Sequence, residues 1–235
     1  MESIAPPSDE TELLQRARRL AGRRLGELAK ERGGILPEDL ARQKGRVGMV
    51  IERLLGADAG VAPCPDFRAL GIELKTLPID EKGKIKETTF VCSASIPHMQ
   101  NETWLTSRVR KKLACVLWVP VEAASPLPLA ERRVGSAVLW RPDEEEEAWL
   151  RRDWEDLSDI LCRGFADSIT ARRGHVLQIR PKARHAGVRQ SLVPVGSDFV
   201  DDAIESLPRG FYLRRQFTER ILARALAMPA MKSPG

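Results

Sequence analysis

Residues 65 to 75 read Pro65-Asp-Phe-Arg-Ala-Leu-Gly-Ile-Glu-Leu-Lys75, and this segment is the most informative part of the sequence for the fold. Successive side chains of a β-strand point to opposite faces. Ile72 and Leu74 therefore supply an apolar face that anchors the strand on a core, while Glu73 and Lys75 project together from the other face. The segment predicts a core strand with a charged pair on its polar side.

Asp66 and Glu73 are candidate metal ligands. Gly71 allows a tight approach of the backbone that folds Asp66 back beside Glu73. Two carboxylates brought together repel each other unless a cation neutralises them, and hard carboxylate oxygens suit Mg²⁺ better than zinc. Lys75 would then orient a metal-bound water or stabilise charge in a phosphoryl-transfer transition state. Because the pattern is short, the alternative is an exposed Glu–Lys pair on a surface strand.

The rest of the chain predicts helices first, then a cluster of strands, then helices and strands again. This order favours a mixed α/β or α+β fold. Hydrophobic periodicity and capping residues place helices near 13–21, 25–30, 47–55, 141–164 and 218–227, and strands near 71–77, 88–92, 112–120 and 176–180. Gly33-Gly34 is expected to stop the second helix, and the acidic run Asp143–Glu147 is expected to be a solvated helix start.

Composition excludes few classes of protein. The chain has 235 residues, a net charge of +5 and four widely spaced cysteines without a C-x-x-C pair, which favour free thiols in a reducing cytoplasm. We expect neither a membrane span nor a secretory signal, because no apolar run approaches the ~20 residues that a span needs. The charge permits a nucleic-acid partner without requiring one.

The pattern Pro65-Asp66…Glu73-x-Lys75 resembles the signature of the PD-(D/E)xK nuclease superfamily. Within that superfamily, the wider sequence resembles the MutH family of DNA mismatch-repair endonucleases. The similarity runs through nearly the whole chain in order, in Leu25–Leu28, Lys44-Gly45, Asp66–Pro78, Glu87–Cys92, Arg110–Pro120, Arg132–Gly135, Gln178–Lys182 and Leu207–Leu213.

The resemblance implies a restriction-endonuclease-like fold with a central mixed sheet flanked by helices. It also implies that residues 1–235 form a single endonuclease domain made of two lobes around a DNA cleft. The implied activity is Mg²⁺-dependent nicking of the unmethylated strand at hemimethylated GATC, with the cut 5′ to the G. The implied partners are double-stranded DNA and MutL, with MutS acting indirectly. We expect a monomer in the bacterial cytoplasm.

The resemblance also implies the roles of individual residues. The catalytic set comprises Asp66, Glu73, Lys75, Glu52 and Lys112. Asp66 and Glu73 are the metal ligands, together with the backbone carbonyl of Leu74. Independently of the family, Glu52 lies at the edge of an apolar helix face and Lys112 ends the basic run Arg108–Lys112. For both residues the alternative is a solvated side chain.

The resemblance further implies the DNA-binding residues, which are Lys44, Gly45, Phe90, Arg180, Pro181, Lys182 and Tyr212. Arg180 is a natural candidate for a bidentate contact with guanine, and Lys182 for a contact with the DNA backbone. Tyr212, the only tyrosine in the chain, would sense whether adenine N6 carries a methyl group, because the methyl removes a hydrogen-bond donor and adds volume. The alternative for Arg180 is an exposed arginine in a loop, and the alternative for Tyr212 is a tyrosine that belongs to the core.

Two other functions stay open from the sequence. A stand-alone restriction endonuclease of the same specificity would make rapid double-strand cuts without MutL. A DNA-binding module that has lost catalysis is the third possibility, and the presence of all five catalytic residues counts against it.

Overall fold

The structure of the protein is a computed structural model that describes residues 4–31, 45–60, 62–95, 99–124, 126–170, 172–182, 190–192, 204–206 and 208–227. Lys44 and the predicted helix stop at Gly33-Gly34 lie outside these residues. The chain divides into two compact units. The first unit comprises Met1–Glu87, Cys115–Arg141 and Phe217–Gly235, and the second comprises Thr88–Ala114 and Pro142–Gln216.

The described residues form a mixed α/β structure, which confirms the predicted fold class. The α-helices are α1 Glu10–Leu20, α2 Leu25–Glu31, α3 Arg46–Leu55, α4 Arg108–Leu113, α5 Glu144–Cys162 and α6 Arg215–Ala227. The strands are β1 Glu73–Ile79, β2 Thr89–Ala94, β3 Val116–Glu122, β4 Val138–Trp140, β5 Leu177–Pro181, β6 Gln190–Leu192, β7 Ile204–Ser206 and β8 Arg209–Leu213. The prediction of a single domain with two lobes around a DNA cleft stays a prediction.

The first unit is built on a mixed sheet of order β1-β3-β4, in which β1 and β3 are parallel and β3 and β4 antiparallel. Ile72 and Leu74 lie in the core with Leu117 and Val119 of β3, as the sequence predicts. The opposite face of the sheet carries Trp118 and Trp140, whose ring centroids are 6.0 Å apart, so side chains cover both faces.

Capping residues set the ends of the helices in the first unit. The Asp9 side chain accepts a hydrogen bond from the Glu12 N–H and begins α1, as predicted. Gly56, at φ +83°, ends α3 in the left-handed conformation that glycine adopts most easily. Helix α3 then packs against β1.

The second unit is built on an antiparallel sheet of order β2-β8-β5. One face is buried and includes Leu177, Ile179, Phe211 and Leu213. Helix α5 packs against β5. The register between β2 and β8 shifts between Phe90 and Cys92, which marks a bulge in β2.

The predicted strand over 112–120 is wrong at its start, because Lys112 and Leu113 belong to α4. The Ser107 hydroxyl accepts a hydrogen bond from the Arg110 N–H and begins this helix, and basic side chains in its last turn complement the helix dipole. The apolar strand pattern therefore begins only at Val116.

The predicted solvated start of α5 is wrong for two of its glutamates. Glu146 is fully buried, and its carboxylate accepts a hydrogen bond from the Asp143 N–H in a capping box. Glu147 accepts hydrogen bonds from Trp104 Nε1 and Arg110 Nε, each at 2.8 Å. These carboxylates are structural.

All four cysteines are free thiols, as predicted. Within the described ranges, no helix combines the length and the apolar character that crossing a membrane requires.

Candidate active site and nucleic-acid interface

A tight turn precedes β1 and returns the chain onto itself. Phe67 and Ile72 exchange two backbone hydrogen bonds, at 2.9 and 3.3 Å. Gly71 adopts φ +65°, a conformation that costs a residue with a Cβ considerably more than it costs glycine. The Asp66 carboxylate then accepts a hydrogen bond from the Leu74 N–H at 2.7 Å. Asp66 is thus fixed to the peptide that joins Glu73 to Leu74, as the sequence predicts.

Glu73 and Lys75 form an ion pair on the polar face of β1. Lys75 Nζ donates to Glu73 Oε1 at 2.6 Å, and the exposed fractions of the two side chains are 15% and 3%. The same face of β3 carries Trp118, which is directly opposite Lys75. The pair is therefore largely screened from solvent, unlike the surface pair that was the alternative interpretation.

Asp58 supports this turn and was not predicted from the sequence. Its carboxylate accepts hydrogen bonds from the Arg68 N–H and from Arg68 Nε, both at 3.0 Å. The backbone N–H of Arg68 lowers the pKa of Asp58, and the Arg68 side chain adds to the effect. The N–H groups of Asp58 and Ala59 in turn donate to the Asp66 carbonyl. Asp58 thus holds the Asp66 carbonyl and the Arg68 N–H, the backbone that directly follows the Asp66 side chain.

Glu52 lies half-buried on α3, the helix that packs against β1. Gly48 precedes it by one helical turn, and a Cβ added there would lie 3.6 Å from Glu52 Oε1. A side chain at residue 48 would therefore touch the Glu52 carboxylate. Gly45, a predicted DNA-binding residue, is the N-cap of α3 with φ +105°.

A divalent cation fits the donor atoms at the start of β1. The side-chain donors of Asp66 and Glu73 are carboxylate oxygens, the ligand type that Mg²⁺ prefers. Among the residues that the structure describes, no three His, Cys, Asp or Glu side chains form a ready-made metal cluster. A cation at this position would therefore complete its coordination with backbone, water or substrate oxygens.

Lys112, the fifth predicted catalytic residue, lies in the second unit. It is the penultimate residue of α4 and only 8% exposed, so it is not the solvated flank that was the alternative.

The second sheet brings four predicted DNA-binding residues together, and we call Phe90, Arg180, Lys182 and Tyr212 the recognition cluster. Phe90 on β2 and Gln178 on β5 are both directly opposite Tyr212 on the central strand β8. Side chains at alternate positions of β5 share that face, which places Arg180 and Lys182 beside the two rings.

Ring contacts and cation–π contacts connect the recognition cluster. The Phe90 and Tyr212 rings pack edge to face with centroids 5.3 Å apart. The Arg180 guanidinium lies 5.8 Å from the centroid of the Tyr212 ring, and Lys182 Nζ lies 5.2 Å from that of Phe90. Phe90 is 38% exposed, so the cluster faces solvent.

Two hydroxyl groups of the β2 segment hold the cations of the recognition cluster. Arg180 Nη1 donates to Thr88 Oγ1 at 2.9 Å, and Lys182 Nζ donates to Ser93 Oγ at 2.8 Å. Sequence reasoning missed Thr88 and Ser93, because their pairing depends on the register of distant strands. Pro181 lies between the two cations, exposed at the end of β5.

Burial raises the pKa of the Tyr212 phenol, and the nearby Arg180 cation partly offsets the effect. The hydroxyl therefore stays protonated at neutral pH and can both donate and accept a hydrogen bond.

A buried aspartate anchors the start of β5, the strand that carries Arg180. Asp153 on α5 is 5% exposed, and its carboxylate accepts hydrogen bonds from three successive N–H groups, those of His175, Val176 and Leu177, at 2.6–2.8 Å. Gly174 adopts φ +87°, and a Cβ there would collide with the Leu177 carbonyl oxygen. No pattern in the sequence predicts the Asp153 contact.

The family model described as DNA mismatch repair enzyme MutH matches residues 55–153, a span that contains Asp66, Glu73, Lys75 and Lys112. The chain is 54% identical over 220 residues to the DNA mismatch repair protein MutH of Yersinia enterocolitica, covering 94% of this chain and 95% of that protein. It is 53% identical, with the same coverage, to the MutH proteins of Yersinia pestis strain Pestoides F and Yersinia pseudotuberculosis serotype O:1b. With more than half of the residues identical over almost the full length of both proteins, the chain belongs to the MutH family of DNA mismatch-repair endonucleases.

Proposed function

We propose that this protein nicks the unmethylated strand of hemimethylated GATC sites in a Mg²⁺-dependent reaction, on the 5′ side of the G. Family membership makes it a DNA mismatch-repair endonuclease, which hydrolyses phosphodiester bonds and requires a divalent cation. The observation that supports the proposal is the largely buried Glu73–Lys75 pair on β1, together with the Asp66 carboxylate that accepts a hydrogen bond from the Leu74 N–H of the same strand.

Asp66 and Glu73 are the proposed metal ligands, with the Leu74 backbone carbonyl as a third oxygen. Their hard oxygen donors favour Mg²⁺ among the common divalent cations. When bound, the cation polarises the scissile phosphate and lowers the pKa of a coordinated water. The hydrogen bond from the Leu74 N–H fixes the Asp66 carboxylate before any cation arrives.

Lys75 has two proposed roles on the polar face of β1. It orients the Glu73 carboxylate through the 2.6 Å contact. Its ammonium also provides positive charge in a largely water-excluded position, where it stabilises negative charge on the phosphate more strongly than it would in bulk water.

Glu52 and Lys112 complete the proposed catalytic set. Glu52 would act from α3, the helix that packs against β1, as an additional acidic group for the cation or its water. Lys112 would neutralise charge near the scissile phosphate, and its burial in α4 limits the positions its ammonium can take.

The recognition cluster would read the DNA. Arg180 would make the bidentate contact with guanine, and Lys182 a contact with the DNA backbone. Tyr212 would approach adenine N6, where a methyl group removes a hydrogen-bond donor and adds volume. Phe90 and Pro181 would pack against the DNA, and Lys44 and Gly45, which directly precede α3 in the sequence, would contact it as well.

We further propose that MutL stimulates the enzyme and that MutS acts indirectly through MutL. We propose that the protein acts as a monomer in the cytoplasm, where its DNA substrate lies.

Three plasmids that differ only in GATC methylation test the proposal: unmethylated, hemimethylated and fully methylated. Each is incubated with the protein and Mg²⁺, with and without MutL. We expect nicks in the first two plasmids, protection of the third, and faster nicking with MutL. Equal cutting of all three would refute methylation sensing, and rapid double-strand cutting without MutL would favour a restriction endonuclease.

Two variants test the residues. Glu73→Gln should abolish nicking, whereas the matched control Glu155→Gln, in an exposed ion pair on α5, should keep it. Tyr212→Ala should weaken methylation discrimination while leaving strand cleavage measurable. Wild-type nicking by Glu73→Gln would remove the metal-site assignment, and an unchanged methylation preference of Tyr212→Ala would remove the sensing role.

A further inference from the structure

Gly210 is the residue of the central strand β8 that lies directly beneath the recognition cluster. It is opposite Ser93 on β2 and Arg180 on β5. It also shares a face with Tyr212, two residues further along the strand. The face that carries the cluster therefore has one position without a side chain, in the middle of the sheet.

The two aromatic rings occupy the space that a side chain at Gly210 would need. An added Cβ would lie 2.8 Å from Phe90 Cε2 and 3.3 Å from Tyr212 Cε2, and 3.2 Å from the Cys92 carbonyl oxygen. The first distance is far inside normal van der Waals contact. No positive φ requires glycine at this position, so the close approach of the rings is the reason why a larger residue does not fit.

The space above Gly210, which a side chain there would fill, determines where the Phe90 ring lies. Phe90 is 38% exposed and is not enclosed by a core. On its other sides the ring contacts the Tyr212 edge and Lys182 Nζ, which is itself hydrogen-bonded to Ser93. An alanine at Gly210 would push the end of this ring towards solvent, a shift that an exposed side chain can make without unfolding the sheet.

We propose that Gly210 is a positioning residue for methylation discrimination, and this inference rests on the proposed function. Detection of one methyl group depends on placing the tyrosine ring to within a fraction of an ångström. Gly210 sets that position because it lets the Phe90 ring lie against the backbone and pack on the Tyr212 edge. A side chain at residue 210 should therefore alter discrimination while leaving the residues of β1 untouched.

The test compares four proteins: wild type, Gly210→Ala, Phe90→Leu, and the double variant. For each, the nicking rate on hemimethylated plasmid is divided by the rate on fully methylated plasmid. The same ratio is measured for binding of short duplexes without divalent cation, so that a slow chemical step does not hide the effect. Gly135→Ala, whose Cβ would lie 3.0 Å from Pro120 Cβ in the first unit, is the matched control for crowding.

We expect Gly210→Ala to lower both ratios about tenfold, since it disturbs an aromatic pair and a cation–π contact. Phe90→Leu lacks the ring end that crowds residue 210, so the added alanine should have little further effect in that background. Gly135→Ala should keep the wild-type ratios. An unchanged ratio for Gly210→Ala would overturn the proposal, as would a full additional loss in the double variant, because the effect would then come from the strand backbone.

If Gly210→Ala does not fold, the double variant Gly210→Ala with Phe90→Leu tests the proposal instead. Removal of the ring end should let it fold with the ratio of Phe90→Leu, and an unfolded double variant would overturn the proposal. Failure of the proposed function gives a different result, since the wild type itself would then cut all methylation states equally.

Discussion

Replacing Asp153 by alanine should destabilise the second unit strongly, although Asp153 is distant in sequence from every predicted site residue. The carboxylate accepts hydrogen bonds from three backbone N–H groups at the start of β5. His175 is exposed, so water can replace the lost acceptor there. Val176 and Leu177 are 3% and 0% exposed, and their N–H groups would be left buried without an acceptor.

The size of the effect follows from those two buried groups. A buried donor left unsatisfied costs about 1–3 kcal/mol, so two such donors cost about 2–6 kcal/mol. Removal of a buried carboxylate recovers part of this cost, and we expect a net loss of about 3 kcal/mol. That is a large fraction of the ~5–15 kcal/mol by which domains are usually stable.

Asp156 provides the matched control on the same helix. Asp156 forms an ion pair at 2.6 Å with Arg173, which lies in the loop before β5. The side chains of Asp156 and Arg173 are 42% and 48% exposed. An exposed pair contributes about 0–1 kcal/mol, so Asp156→Ala should cost less than 1 kcal/mol. The two variants remove the same functional group from one helix and differ mainly in the burial of its partners.

Urea denaturation measures the free energies of unfolding, and hydrogen exchange at the amides of Val176 and Leu177 measures the local effect. We expect faster exchange at these amides in Asp153→Ala and little change in Asp156→Ala. Equal, small losses of stability in the two variants would refute the reasoning, because the N–H groups of β5 would then have found other acceptors.

Three further predictions concern the site and its supports. Lys75→Met removes the ammonium group paired with the buried Glu73 carboxylate and should lower the free energy of unfolding, measured by urea denaturation, by about 2–3 kcal/mol. Added Mg²⁺ should reduce this loss of stability. A loss that Mg²⁺ does not change would count against a metal ion at this carboxylate. The Arg68 N–H lowers the pKa of Asp58 in the folded state, so its contribution to stability is present above about pH 4 and is lost as the pH falls through the lowered pKa. The stability difference between wild type and Asp58→Asn should therefore close in acid, and a constant difference would contradict this. Tyr212 is the only tyrosine in the chain, so tyrosinate absorbance reports the pKa of this residue alone. The phenol should titrate above the usual pKa of 10.0 in the folded protein and near it in the urea-unfolded protein. Equal midpoints in the two states would exclude the effect of burial.

The geometry around Asp66, Glu73 and Lys75 was largely predictable because these residues are close in sequence. The alternation of β1 is sufficient to place Glu73 beside Lys75 and to bury Ile72 and Leu74. One glycine is sufficient to return Asp66 to the strand. Asp58 could not be predicted, since its contact with Arg68 depends on the path of a loop without periodicity.

The start of α4 shows where a local pattern failed. The apolar run that begins at Leu113 suggests a strand, but Ser107 caps a helix that lasts until Leu113. A capping hydrogen bond between a hydroxyl and an N–H three residues away decided the local structure against the hydrophobic pattern. The same kind of contact, in the capping box of α5, buried a glutamate that the pattern assigned to solvent.

The residues of the recognition cluster are far apart in the sequence, and the family resemblance was needed to group them. Thr88 and Ser93 accept hydrogen bonds from Arg180 and Lys182, which come 92 and 89 residues later in the chain. The close approach at Gly210 was not predicted either, because no strand was predicted over residues 209–213. What Gly210 approaches depends on the pairing of β2 with β8 and on the bulge after Phe90, which no periodicity specifies.

The effects of the charged residues of β1 and of the recognition cluster should therefore be separable by mutation. The pairing of β1 with β3 holds Glu73 and Lys75, whereas β8 aligns the recognition cluster between β2 and β5. A shift of one residue in β8 would turn Tyr212 towards the core and leave the register of β1 unchanged. Substitutions along β8 should accordingly relax specificity before they stop strand cleavage, whereas substitutions at the start of β1 should stop cleavage while the protein still distinguishes methylated from unmethylated DNA in binding.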